Sequence, residues 1–220
     1  MKNTSPYSTI LKFISLDLST KATGVAVFDG QKLVHFECLR ESDADVYRRM
    51  VRMAERVEDI IVKKHISKAI IEDVPLGGAS LNCDVSRKLC VLQGMLIYMF
   101  ERNGVAFDAY QPTRWRQLMG FNQTAYMCRN CSQTFIHANG VYRGTCPSCG
   151  KGGKNQFAKK TMNGREEMKT RAVDYVNREF GLQFVYYKNE TKAHISNDNE
   201  AEAICMGIAY SKYLKGINNE

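Results

Sequence analysis

Hydrophobic positions along the chain alternate between two spacings. Ile10–Leu16 is a short apolar run that ends at Asp17, and Gly24–Phe28 is a second. Asp29-Gly30 marks a tight turn into a third run over Lys32–Leu39. Between Asp43 and His65 the spacing changes. Val46, Met50, Met53, Val57, Ile60 and Ile61 recur at helical intervals, with charges on the opposite face. Lys68–Val74 is a compact apolar strand that carries Glu72. Cys83–Asn103 reads as a helix apolar enough to pack on a sheet, and Val105–Tyr110 as a further strand. Pro112 suits the first turn of a helix over Thr113–Met119. Helical spacing returns at Glu166–Phe180, where Gly181 stops it, and again from about Asn197 to Leu214. A meander of strands followed by alternating helices and strands predicts a mixed α/β layer.

Composition narrows the class. The 220 residues suit one domain, or one domain with a small module. Only 4 Pro and 16 Gly, with 44% hydrophobic residues, exclude collagen-like chains and wholesale disorder. The longest apolar run, Cys90–Phe100, is broken by Gln93 and Gly94 and falls far short of the roughly 20 residues of a membrane span. MKNTSPYSTI lacks the apolar core of a signal peptide. The expectation is a cytoplasmic protein, in a bacterial or phage-infected cell, with no membrane partner.

The formal charge of +8 has an address. No Asp or Glu occurs from Ala109 to Arg165, while those 57 residues hold nine basic side chains. They are Arg114, Arg116, Arg129, Arg143, Lys151, Lys154, Lys159, Lys160 and Arg165. The rest of the chain is nearly neutral. A localised basic segment points to an anionic partner such as nucleic acid, against the plainer reading of a solvated loop. The first eight of these are the candidate DNA contacts. Trp115, between Arg114 and Arg116, reads better as core.

The same segment holds Cys128-x-x-Cys131 and Cys146-x-x-Cys149, fourteen residues apart. Paired CxxC motifs at this spacing predict a four-thiolate zinc site, which is closed and therefore structural. A redox role is the weaker alternative. Phe135, Ile136, Val141 and Tyr142 suggest a small hairpin around Asn139-Gly140, and Gly150–Gly153 a flexible exit. A module this small needs its metal to fold. Cys38, Cys83, Cys90 and Cys205 read as reduced thiols.

Carboxylates recur where apolar structure brings elements together. Asp17 ends one strand, Glu72 nearly ends another, and Asp198, Glu200 and Glu202 open the apolar last helix. Taken singly, each has a bland explanation as a turn or a helix-dipole partner. Taken together, they predict a site for hard divalent cations, because clustered carboxylates are costly to bury without one. Two such ions form a known phosphoryl-transfer device.

On ISLDLSTKATGVAVF, AIIEDV, KLCVLQGML, YQPTRWRQLMGF and NDNEAEAICMGIAY, the chain resembles the RuvC-type Holliday-junction resolvases, particularly their phage-type members. The resemblance runs from about Ile10 to Tyr213, interrupted by the Cys-rich insert. It implies an α/β, RNase H-like mixed sheet flanked by helices over residues 8–120 and 160–216, with a zinc ribbon at 121–159. It also implies a homodimer that cuts four-way DNA junctions with two Mg²⁺ or Mn²⁺ ions. The resemblance assigns Asp17, Glu72 and Glu202 to the metals. The pattern's remaining helix acid falls at Asn199, so Asp198 is taken as the fourth ligand. Glu200 lies about 200° around the helix from Glu202. A basic residue such as Lys160 or Lys169 is available to offset developing charge. Two other readings stay open: a related nuclease acting on other branched DNA or R-loops, and an inactive junction-binding accessory protein. A sugar-kinase-like ATPase is excluded by the short chain and the missing Gly-rich adenosine motif.

Overall fold

A computed structural model describes residues 12–74, 83–121, 124–137, 144–153, 156–161, 165–191 and 193–217. A five-stranded sheet forms the centre. It is built from β1 (Lys12–Asp17), β2 (Ala22–Asp29), β3 (Lys32–Arg40), β4 (Lys68–Glu72) and β5 (Ala106–Tyr110), in the order β3-β2-β1-β4-β5. The first three strands are antiparallel; β1, β4 and β5 run parallel. Every expected strand and helix of this part forms, with ends shifted by no more than three residues.

Four of the six residues of β1 are buried, because helices cover both faces of the sheet. Ile14 and Leu16 face one core with Ala69 and Ile71 of β4, under α1 (Val46–Lys64) and α2 (Cys83–Arg102). Phe13 and Ile70 face the other core, under α3 (Pro112–Leu118), α4 (Arg165–Phe180) and α5 (Asp198–Ile217). Since side chains alternate along a strand, Asp17 and Glu72 share the α5 side. The sequence reason for α1 is plain. Asp45 caps it by accepting from the Tyr47 and Arg48 amides, and Met50, Met53, Val57, Ile60 and Ile61 bury one stripe.

Helix α5 is buried without a break from Glu200 through Gly207, and again at Ala209 and Tyr210. Two glycines let it lie close on the sheet. A Cβ at Gly24 of β2 would sit 1.9 Å from the Asn199 carbonyl oxygen, and one at Gly207 would sit 2.2 Å from the Phe28 ring. The Ser15 hydroxyl, buried in β1, donates to the Ala203 carbonyl at 2.6 Å. Trp115 is core, as expected, packed edge-on against Phe121.

The Cys-rich segment builds a separate three-stranded sheet, β7-β6-β8, from β6 (Thr124–Cys128), β7 (Thr134–His137) and β8 (Phe157–Thr161). β7 pairs back onto β6, so the first CxxC motif forms the turn between them. The hairpin expected around Asn139-Gly140 lies outside the described residues. β8 pairs with β6 as far as Thr161. The expected flexible exit belongs to the second knuckle: Cys146 N–H donates to the Lys151 carbonyl, and Gly150, at φ 69°, returns its N–H to Cys146. Among the described residues no helix is long and apolar enough to cross a membrane.

Candidate active site

The parallel register of β1 and β4 aligns Leu16 with Ile71, which leaves Asp17 and Glu72 side by side at the strand ends. The first turn of α5 crosses over them, because Gly24, paired with Asp17 across β1 and β2, leaves room for its backbone. The result is a cleft of about 300 Å³ whose lining includes Asp17, Glu72, Arg116, Arg165, Lys169, Asn199 and Glu202. Leu18, Val74 and Leu89 supply apolar wall.

Three of the four expected ligands therefore meet: Asp17, Glu72 and Glu202. Asp198 does not line this cleft. Its carboxylate is buried against the Lys169 ammonium, and it borders a second cavity behind α5. Asn199, three residues before Glu202, takes the cleft position instead. Glu200 points away, toward Asn197, which donates to it at 3.2 Å; its other oxygen is buried without a hydrogen-bond partner. Arg116, expected as a DNA contact, lies inside the cleft and donates to Glu202 at 2.8 Å. Arg165 and Lys169, one turn apart on α4, line the cleft too. Lys169 is one of the two basic residues named for offsetting developing charge, and Arg165 closes the basic segment outside the eight candidate DNA contacts.

Charge is unevenly compensated. Glu202 has Arg116 and Asp198 has Lys169, each pair largely buried. Asp17 and Glu72 stand side by side and, among the described residues, neither forms an ion pair. Burial, then the charge of Glu202, then that of Glu72, push the Asp17 carboxyl well above its ordinary range. Burial and Glu202 push Glu72 the same way, against the pull of Arg116. A hard divalent cation would offset the mutual repulsion of these buried acids. The donor set thus fits Mg²⁺ or Mn²⁺ chemically. The three carboxylates are not drawn to within 4.8 Å of one another, as the cysteines are.

Cys128, Cys131, Cys146 and Cys149 place all four sulfurs within that span. Cys128 and Cys149 are 3.8 Å apart, Cys131 and Cys146 3.7 Å. A tetrahedron with Zn–S bonds near 2.3 Å requires sulfur separations of about 3.8 Å, so the residues fit zinc. Asn130 and Gln156 amides point at sulfurs of the cluster, a second shell that favours thiolate.

The expected DNA contacts scatter. Arg129 and Lys151 are exposed on the two knuckles. Arg114 is exposed and stacks on the Tyr110 and Tyr213 rings. Arg143 and Lys154 lie outside the described residues, as do the side chains of Lys159 and Lys160 on β8.

The mixed five-stranded sheet, with acids at the ends of β1 and β4 and a helix across its face, is an RNase H-like fold. Within that class it is the fold of the RuvC-type resolvases. No protein-family model and no curated protein matches the sequence. Solved structures do match. Thermus thermophilus RuvC in complex with its Holliday junction substrate superposes with a TM-score of 0.58 at 13% identity, over 94% of this chain and 96% of that one. The same protein in a second structure gives 0.54 at 14% identity, over 94% and 96%. The yeast mitochondrial Holliday junction resolvase Ydc2 gives 0.50 at 12% identity, over 98% and 85%. At such identities the likeness is one of fold.

Proposed function

We propose that this chain is a divalent-metal-dependent endonuclease that resolves four-way DNA junctions as a homodimer. The observation that carries the reading is the meeting of Asp17, Glu72 and Glu202 in one cleft, on a fold shared with a protein solved on a Holliday junction. Asp17, Glu72 and Glu202 would hold the two expected Mg²⁺ or Mn²⁺ ions, with Asn199 beside them. A metal bound there would supply the activation of a water and the neutralisation of charge on the leaving oxygen.

The chain's own groups do the positioning. Two adjacent strands hold Asp17 and Glu72 rigidly, and Arg116 fixes the rotamer of Glu202. Asp198 acts through Lys169, holding its ammonium at the cleft wall, where it offsets charge on a scissile phosphate. Arg165 at the same wall adds a second cation for the strand. The zinc ribbon of residues 121–159, set into a nuclease unit of 8–120 and 160–216, extends the DNA-binding surface through its exposed Arg129 and Lys151.

The test is cleavage of a synthetic four-way junction with Mg²⁺ or Mn²⁺. Wild type is expected to make paired, symmetric nicks. Asp17→Asn and Glu72→Gln are each expected to lose at least about 100-fold in rate while still binding the junction. Activity near wild type in either variant removes the metal-site assignment. Cleavage of flaps or hybrids with the junction left intact favours the related-nuclease reading instead.

A further inference from the structure

A second cavity, of about 410 Å³, lies behind the acid cleft and shares Arg165, Lys169 and Asn199 with it. Its other wall comes from the segment between α4 and α5, whose described residues 181–191 and 193–197 have no regular structure. This strap is nonetheless held firmly. Asn177 bonds the Phe184 backbone in both directions, at 2.8 and 2.9 Å. Val185 and Asn197 exchange bonds, and Ser196 closes onto the Tyr187 backbone at 2.7 Å. The strap puts Tyr186 and Tyr187 into the cavity wall, with Tyr186 facing the Lys169 ammonium at 6.0 Å.

The charged residues that line the cavity balance, Arg165, Lys169 and Lys188 against Glu166, Glu190 and Asp198. Glu166 pairs with Lys188, Glu190 with Arg40, and Asp198 with Lys169. A site for backbone phosphate carries surplus cations; this one is balanced and aromatic. Its volume falls in the ordinary range for small planar ligands. Tyr187 remains 36% exposed, so the cavity's rim is open to solvent at its ring. Tyrosine rings beside hydrogen-bonding groups suit a nucleobase drawn out of its stack.

We propose that this cavity takes the base adjacent to the scissile phosphate, stacked on Tyr187, and so sets a base preference for cutting. The proposal rests on the first cleft being the phosphodiester-cleaving site. The walls that the two cavities share at Arg165, Lys169 and Asn199 argue for this occupant, because a strand whose phosphate lies at the acids has its next base on the strap side of those residues.

The experiment uses junctions in which the nucleotides flanking the mapped cut are varied through all four bases and an abasic site. Wild type should favour one base by about tenfold or more, and Tyr187→Ala should flatten that preference by losing about tenfold at the favoured site alone. Tyr187→Phe should keep it. With Glu72→Gln holding the strand uncut, 2-aminopurine at that position should change its emission on binding, and adding Tyr187→Ala should abolish the change. Unaltered preference and emission in Tyr187→Ala overturn the proposal. So does a changed oligomeric state by sedimentation with preference intact, which makes the rim a protein contact. An emission change without any wild-type cleavage supports the pocket and sinks the catalytic reading; cleavage without an emission change does the reverse.

Discussion

Replacing Gly24 with alanine adds one methyl group at the point where α5 rests on the sheet. That Cβ would lie 1.9 Å from the Asn199 oxygen, 2.3 Å from its carbonyl carbon and 2.9 Å from the Glu200 nitrogen. All three are backbone atoms, so no rotamer change relieves the contact. Comfortable separations begin near 3.5 Å, so the first turn of α5 must withdraw by about 1.5 Å. Asn199 and Glu202 move with it, while Asp17 and Glu72 stay on their strands. A misplacement of this size in a catalytic constellation costs about 100-fold in rate. Overpacking of this kind costs about 1–3 kcal/mol, or about 2–12 °C in melting temperature for a chain of this size. Gly207→Ala is the matched control. Its Cβ would meet the Phe28 ring, a side chain, about two turns along α5 from Asn199. It should destabilise comparably and cut far better. Junction cleavage and thermal unfolding of both variants decide the matter. Gly24→Ala that cuts within about twofold of wild type and melts at the same temperature would refute the close-approach argument.

Two further outcomes follow from the same geometry. Asp17 and Glu72 have carboxyl groups raised above their unfolded values, so the metal-free fold is stabilised at low pH by these groups, and that stabilisation is lost as pH rises through their folded pKa values. A thermal shift on adding Mn²⁺ should therefore be largest near neutral pH, shrink on acidification toward the carboxylate range, and vanish in Asp17→Asn; a shift independent of pH contradicts the site. The four-cysteine cluster should hold one zinc per chain by metal analysis, and Cys128→Ser should lose it and weaken junction binding by about tenfold while the far-ultraviolet spectrum of the nuclease sheet persists. Full zinc occupancy in that variant would remove Cys128 from the ligand set.

Much of the fold was legible because each element carries its own local signal. α1 has an Asp cap and a five-residue apolar stripe, and β1 is an unbroken buried run. The spacing of the two CxxC motifs predicts a four-sulfur cluster, and the four sulfurs do come together. The pairing of β6 with β8 was not legible, since it joins residues about thirty or more positions apart, from Cys128–Phe157 to Thr124–Thr161. The role of Asp198 was not legible either. At four residues from Glu202 it is as well placed on the helix as Asn199 at three. Only the position of α4 shows that Lys169 takes Asp198, leaving Asn199 to the cleft.

The basic segment divides along the same line. Its charge is a property of composition, but its use is not. Arg116 sits three positions before Met119 in a short helix that packs under α5, and so becomes a partner of Glu202, while Arg129 stays on the surface. By itself the sequence determined the elements, their order, the zinc motif and the three acids, because hydrophobic period, capping and ligand spacing act over a few residues. Tertiary structure alone decided which cations meet which acids, which face of α5 looks into the cleft, and that a second cavity opens beside it. Those outcomes depend on how closely distant backbones approach, and at Gly24 that approach turns on the absence of a single methyl group.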